Sequence, residues 1–318
     1  MKILQTVKKC PGGLMIVPLL LGALVNTLAP QFWVIFKGTF TTHLWKTGAM
    51  PLLAAFLFCN GTTIDVKQAG MTLTKGVLLT AVKVLVGMLL GIAVSYTFGE
   101  AGIFGLAPIA IIAAIANSNG GLYAALAGEY GDATDVGAVS VLSINDGPFF
   151  TLLALGAAGY GVPIEVLIGC IIPIIVGCIL GNLDPEIKKF CEPGTTLLIP
   201  FFAFPLGAGL TLTSIVNAGP SGILLGAAST VTTGFAGYLL YKVMKYKHPE
   251  VGASIGTTAG NAASTPAAVA AAGVISKAVS DVATVQISAA IITTAILCPL
   301  LVTFLHKKEM QAHPEDYK

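Results

Sequence analysis

The chain has 318 residues, 55% of them hydrophobic and only 10% charged, and its mean hydropathy is +0.86. Soluble domains carry about a quarter charged residues, so a chain this poor in charge cannot cover a water-facing surface; a soluble enzyme, a nucleic-acid binder and a disordered chain are excluded. The net charge of +2 implies no polyanionic partner, and it rests on lysine alone, because the sequence has no arginine.

A membrane-spanning helix needs about 20 apolar residues, and the long charge-free runs predict an all-α integral membrane protein with ten such helices. The first, 13–29, lies in the run Cys10–Phe36. It follows Lys8 and Lys9 and lacks a small-residue cleavage site, so it reads as a retained helix. The stretch 31–46, with Trp33 and Trp45, reads as an interfacial loop. Helices are then predicted over 47–61, 70–98 (interrupted only by Lys83), 103–128, 135–158 (interrupted only by Asp146) and 162–183. Residues 193–241 carry no charge and are read as two spans, 194–216 and 221–244, with Asn217-Ala-Gly-Pro-Ser-Gly222 as the turn between them. Spans over 251–275 and 280–305 complete the set.

Lysine sets the orientation. With a cytoplasmic N-terminus, every lysine except Lys37, Lys46, Lys277 and the intramembrane Lys83 falls on the inner side, Lys67 and Lys318 included. Both termini are therefore expected in the cytoplasm, and the Asn60-Gly-Thr62 sequon, facing inward, carries no meaning.

The chain also repeats itself. Met15–Pro30 aligns with Cys170–Pro185, matching Pro18, Gly22, Leu28 and Pro30 to Pro173, Gly177, Leu183 and Pro185. Met50–Gly70 aligns with Ile199–Gly219, Gly76–Gly91 with Gly222–Gly237, and Asn117 with Asn261. The halves are 1–160 and 161–306, followed by a cytoplasmic tail, 307–318. Five helices per half is an odd number, so the second half enters the membrane from the opposite side. Such inverted repeats build many secondary transporters, with the site at the midplane where the halves meet.

Two spans carry polar residues at their centres. The fourth contains Ala116-Asn-Ser-Asn-Gly-Gly121, and the ninth contains Ala259-Gly-Asn-Ala-Ala-Ser-Thr-Pro266 at the equivalent place. Glycine and proline weaken helices, and unwound backbone at membrane depth survives only inside protein or beside a cavity. Helices 4 and 9 are therefore read as broken. The second half-helices, starting near Leu122 and Ala267, would aim N–H groups and positive dipole ends at the centre, which suits an anionic substrate. Asn117, Ser118, Asn119, Gly120, Gly121, Asn261, Ser264 and Thr265 are the candidate substrate-binding residues.

Asp146, preceded by Asn145, is the one carboxylate deep in a span, about 16 Å in at about 1.5 Å per residue from Asp135. A carboxylate at that depth is expensive to keep charged, which makes Asp146 a candidate proton carrier. Lys83 lies at similar depth and could neutralise Asp146, hold a substrate carboxylate or snorkel to the interface. Glu129, Asp132 and Asp135 read as a solvated cytoplasmic loop, with a gate or cation funnel as the alternative. Gly252-Ala-Ser-Ile-Gly256 fits a hydrolase pattern but lies in an apolar helix, and the four histidines are in loops or the tail. The six cysteines, Cys10, Cys59, Cys170, Cys178, Cys191 and Cys298, show no metal-ligand spacing and read as apolar filler. No metal, cofactor or nucleic acid is expected; the bilayer and a small solute are.

The segments KKCPGGLMIVPLLLGALVNTLAP, AIANSNGGLYAAL, SINDGPFFTLLALG and TTAGNAASTPAAVAA together resemble the bacterial 2-keto-3-deoxygluconate permease family, and the resemblance runs along essentially the whole chain. It implies an inner-membrane symporter that imports 2-keto-3-deoxygluconate with protons. It also implies a fold similar to the bile-acid sodium symporters, with broken helices crossing at the fourth and ninth positions. The residues themselves leave open a sodium-coupled organic-anion symporter and a cation/proton antiporter using Asn145 and Asp146.

Overall fold

The computed structural model describes residues 2–9, 13–66 and 70–313. The expectations for Cys10, Lys67 and Lys318 lie outside them. The described chain is helical, and no strand occurs among the described residues. In chain order the helices are α1 (Ile3–Lys9), α2 (Gly13–Leu28), α3 (Gln31–Ile35), α4 (Phe40–Trp45), α5 (Ala49–Thr63), α6 (Met71–Phe98), α7 (Pro108–Ala116), α8 (Gly120–Tyr130), α9 (Ala133–Gly137), α10 (Val139–Leu142) and α11 (Phe149–Ala157). The second half holds α12 (Ile164–Leu183), α13 (Pro185–Cys191), α14 (Gly194–Gly207), α15 (Leu212–Val243), α16 (Pro249–Gly252), α17 (Thr265–Ala271) and α18 (Lys277–Ala312).

Five helical segments are long and apolar enough to cross a membrane: 71–101, 108–130, 164–183, 215–243 and 277–312. The number rises to seven if each of two bent helix pairs counts as one span. The chain is thus a multi-pass membrane protein. At about 1.5 Å per residue, α5 and α14 reach only about 21–23 Å, less than a bilayer core of about 30 Å. Their edges carry large apolar side chains, such as Leu197 and Met50, outward.

Three expectations change. Residues 217–222 are not a turn; they lie inside α15, which holds Pro220 within it. The chain turns at 208–211 instead, where Gly209 N–H donates to Leu206 O and Leu210 N–H to Gly207 O. Residues 31–46 are two short helices, not a loop: Trp33 is buried, and Trp45 stacks on Phe201 and meets Phe204 edge-on. The single helix expected over 135–158 is broken as well, bending by 58° between residues 145 and 149.

Glycine decides how closely the helices meet. A Cβ at Gly22 of α2 would collide with the Phe204 carbonyl of α14, and one at Gly177 of α12 would collide with the Phe58 carbonyl of α5. Likewise Gly76 of α6 faces Val141 of α10, and Gly222 of α15 faces the backbone of Gln286 of α18. Gly91 presses on Ile112 of α7, and Gly237 on Gly252 of α16. Backbone approach of this kind is how small residues join helices without a hydrophobic driving force. The contacts fall into two packed bodies: α2, α5, α12 and α14 in one; α6 to α11 and α15 to α18 in the other.

Candidate substrate and coupling site

The two segments expected to be interrupted, 103–128 and 251–275, meet at their breaks. In the first, α7 ends at Ala116 because Asn117 turns extended (φ −101°, ψ 130°), and Asn119 caps α8 by accepting from Leu122 N–H at 3.0 Å. In the second, α16 and a 3₁₀ turn give way to non-helical backbone at 256–259, extended at Ala259, followed by a second 3₁₀ turn, Gly260–Ser264, that runs into α17. Ala259 N–H donates to Asn117 O at 3.2 Å, Asn119 N–H to Thr257 Oγ1 at 2.9 Å, and the Thr258 hydroxyl to Ala114 O at 3.0 Å. The unwound backbone of each span thus satisfies the other, as buried polar backbone must.

The third break brings Asp146 to the same place. Asn145 Nδ2 donates to Ala116 O at 3.0 Å, at the end of α7. Gly147 has φ +85°, a conformation glycine adopts without a Cβ penalty, and Pro148 prevents the 3₁₀ turn before Asp146 from continuing. Asp146 Oδ1 accepts from Asn261 Nδ2 and Oδ2 from Asn60 Nδ2, each at 2.9 Å. Asn261 belongs to the second break, and Asn60 to α5 in the other packed body.

Asn60 is therefore not idle. Its amide is buried and directed at the carboxylate. The signal was present in the sequence: Asn60 is the one side-chain amide in the run from Thr47 to Ile64.

Lys83 does not pair with Asp146. Its fully buried ammonium donates to the Thr257 carbonyl at 2.6 Å and to Thr233 Oγ1 at 3.2 Å. Snorkelling is ruled out by the same burial. Lys83 instead braces the crossing, because Thr257 also receives Asn119 N–H. Thr233 and Thr257 went unnoticed because threonine is inexpensive in an apolar helix, where its hydroxyl bonds the preceding turn, as Thr233 does to Ser229 O.

The remaining candidates sit around this crossing. Asn117 Nδ2 donates to Ala113 O, and Ser264 Oγ to Asn261 O. Leu122 N–H is already taken by Asn119, so it is not the free donor expected there, and the approach to α17 is wrapped by a 3₁₀ turn. Gly120 is half-buried and Gly121 exposed at the head of α8. Ser118 Oγ, Asn145 Oδ1, Asn261 Oδ1 and Thr265 Oγ1 are buried without a hydrogen-bond partner. So many unused polar atoms in one place is unusual, since buried polar groups are normally paired.

Of the acidic residues expected in a solvated loop, Glu129 is exposed at the end of α8 and Asp132 is exposed beyond it, but Asp135 is not solvated. Asp135 is 1% exposed and pairs with Lys75 Nζ at 2.7 Å, and it accepts from the Tyr241 hydroxyl at 3.0 Å. Asp132 closes a capping box with Asp135 at the start of α9. Partial burial opposes ionisation of Asp132, but the Thr134 hydroxyl, the Asp135 and Thr134 N–H groups and Lys75 outweigh it and hold its carboxyl at about 2. Nearby, Glu250 and Glu309 are buried against His306 and Lys242. His306 lies inside α18, not in a loop.

A multi-pass helical protein whose broken spans cross over a buried carboxylate and unused hydrogen-bonding atoms belongs to the class of membrane transporters. It is not an enzyme. A family model described as 2-keto-3-deoxygluconate permease matches residues 4–311. The chain is 49% identical over 310 residues to 2-keto-3-deoxygluconate permease 1 of Salmonella typhimurium, covering 97% of both chains. It is 38% identical to the permease of that name from Xanthomonas oryzae (95% of this chain, 96% of the other) and 37% identical to that of Bacillus subtilis (98% and 96%). The chain belongs to the 2-keto-3-deoxygluconate permease family.

Proposed function

We propose that the protein imports 2-keto-3-deoxygluconate across the bacterial inner membrane together with protons. The names of its relatives support the substrate. The coupling reading rests on one observation: Asp146 lies at the crossing of the broken spans with both oxygens held by neutral amides and no cation paired to it among the described residues. A carboxylate so placed is costly to leave charged while the carrier changes sides. Proton binding removes that charge. The substrate carboxylate docks at the first turn of α8, at Gly120 and Gly121, whose N–H groups have no partner within the helix. Its hydroxyls meet Ser118, Asn145, Asn261 and Thr265, whose polar atoms are unused, and Asn117, Asn119 and Ser264 shape the surrounding backbone.

The architecture proposed is ten membrane segments in two inverted repeats, 1–160 and 161–306, with a cytoplasmic tail from 307. The matched glycines favour it, because Gly22 and Gly177, Gly76 and Gly222, and Gly91 and Gly237 each join the corresponding pair of helices. The proposed sidedness, with both termini cytoplasmic, is supported by the clustering of lysines. Lys46 bonds the Ala208 carbonyl, and Lys277 Nζ lies 4.0 Å from the Cβ position of the adjacent Gly209, so these two assigned outer lysines share one end.

The test is uptake of labelled 2-keto-3-deoxygluconate into proteoliposomes with an imposed inward proton gradient and no sodium. Wild type should accumulate the substrate and Asp146→Asn should not. Equal accumulation by both would make Asp146 structural; dependence on added sodium would replace the proton with sodium. One monoanion with one proton is electroneutral, so strong stimulation by voltage at constant pH would overturn that ratio.

A further inference from the structure

We propose that Asn60 is a positioning residue that reads the protonation state of Asp146 across the seam between the two packed bodies, and so ties their relative movement to proton loading. The inference rests on the proton reading above and deepens it.

The backbone-to-backbone approaches stay within a body. Gly22 and Gly207 lock α2 to α14, and Gly61, Gly177 and Gly181 lock α5 to α12. On the other side Gly87 locks α6 to α7, and Gly222, Gly226 and Gly237 lock α15 to α18 and α16. The seam between the bodies is looser. There, Gly147 faces the Leu57 side chain, and the nearest atom to a Cβ on Gly260 would be Met15 Cβ at 3.9 Å. Side chains can slide past one another where interlocked backbones cannot.

Across that seam runs the hydrogen bond from Asn60 Nδ2 to Asp146 Oδ2, only one turn of α5 from Leu57. Asn261, which donates to the other oxygen, is part of the same body as Asp146. An ionised carboxylate is an acceptor at both oxygens and suits two amide N–H donors; a carboxylic acid carries one O–H donor. A proton on Oδ2 cannot face the Asn60 N–H. Either the Asn60 amide turns over to present its carbonyl, or the bond across the seam is lost. Charge-assisted hydrogen bonds are roughly twice as strong as neutral ones. The seam is therefore tied most firmly when Asp146 is charged, and loosened when it takes a proton. That is the block a symporter needs against carrying substrate without its proton; the empty carrier, which must also return, has only this one bond across the seam to break.

The experiment compares two assays on the full chain in proteoliposomes, with labelled 2-keto-3-deoxygluconate as the probe. One is counterflow at equal pH on both sides, which needs binding and movement but no coupling. The other is accumulation driven by an inward proton gradient. Asn60→Leu, close in size, and Asn60→Ala, which cannot overpack, should both retain counterflow. Their accumulation should fall about tenfold or more, as expected for losing one hydrogen bond to a charged group. Adding Asp146→Asn to either should lower accumulation no further than the worse single change, because residues acting through one bond are not additive. Loss of counterflow and accumulation together in both variants would make Asn60 structural and overturn the proposal. Wild-type accumulation in the Asn60 variants would also overturn it, while leaving proton symport intact. If wild type itself ignores the proton gradient, the symport reading falls first, whatever Asn60 does.

Discussion

Lys83 Nζ lies 2.6 Å from the carbonyl oxygen of Thr257, and Thr257 Oγ1 accepts the N–H of Asn119. A single ammonium, wholly inside the protein, thus fastens one broken span to the helix beside it at the point where the other broken span crosses. Its place in the fold is that of a brace, and none of its partners is shared with Asp146.

Energetic coupling tests this separation. Lys83→Met leaves the Thr257 carbonyl without its donor and should cost about 1–3 kcal/mol of stability, as buried unsatisfied groups do. Because Lys83 and Asp146 share no partner in the structure, Lys83→Met and Asp146→Asn should add to within about 0.5 kcal/mol in thermal unfolding of the purified protein. A coupling above about 1 kcal/mol would mean that the two charges pair.

The ion pair between Lys75 and Asp135 has both side chains almost wholly excluded from solvent, 5% and 1% exposed. Removing Lys75 strands the buried Asp135, so Lys75→Met should cost about 3–5 kcal/mol; Asp135→Asn, which leaves Lys75 its second partner Asp132 at 3.3 Å, should cost less. The double replacement Lys75→Met/Asp135→Leu should recover part of that loss. Equal destabilisation by the single and double changes would argue against a pair. Asp132, on the exposed edge of the same cluster, should contribute under about 1 kcal/mol.

Asp132 also gives a pH signature. Its carboxyl is held at about 2 in the folded protein, below the usual carboxylate range of about 4. A group lowered on folding stabilises the fold above its unfolded value and loses that contribution as pH falls through its folded value. The stability difference between wild type and Asp132→Asn should therefore be constant above about pH 5 and fade between about pH 4 and 2. A difference that persists undiminished at pH 2 would assign it to the cap geometry alone.

Two glycines separate packing from turn chemistry. A Cβ on Gly207 would collide with the Leu19 carbonyl, so Gly207→Ala should destabilise the α2–α14 crossing by at least about 1–3 kcal/mol. Gly219 has nothing within 4 Å of its Cβ position and sits inside α15. Gly219→Ala should be neutral or stabilise by about 0.5–1 kcal/mol, the helix preference of alanine over glycine. A loss of stability at Gly219 would restore the turn that the sequence suggests there.

Composition alone determined that this chain lives in a membrane, because a surface with so few charges cannot face water. The apolar runs located most helices for the same reason, and α2, α5, α6 and α12 begin and end within a few residues of their expected limits. The breaks at 117–119 and 256–259 were legible because asparagine, glycine and proline in the middle of an apolar run leave backbone groups that a regular helix would have satisfied. Asp146 stood out as a charge at depth.

Only the tertiary structure decided what these residues touch. Counting residues along a helix says nothing of the angle around it, so Lys83 and Asp146, expected at one level, face different neighbours. Asn60 acquired its role because α5 brings it across a seam to a carboxylate 86 residues away in sequence. Asp135 left solvent because Lys75 and Tyr241, from two other helices, close over it. Hydropathy is a property of one segment, whereas a buried polar contact belongs to two or three, and its partners are fixed only when the helices pack.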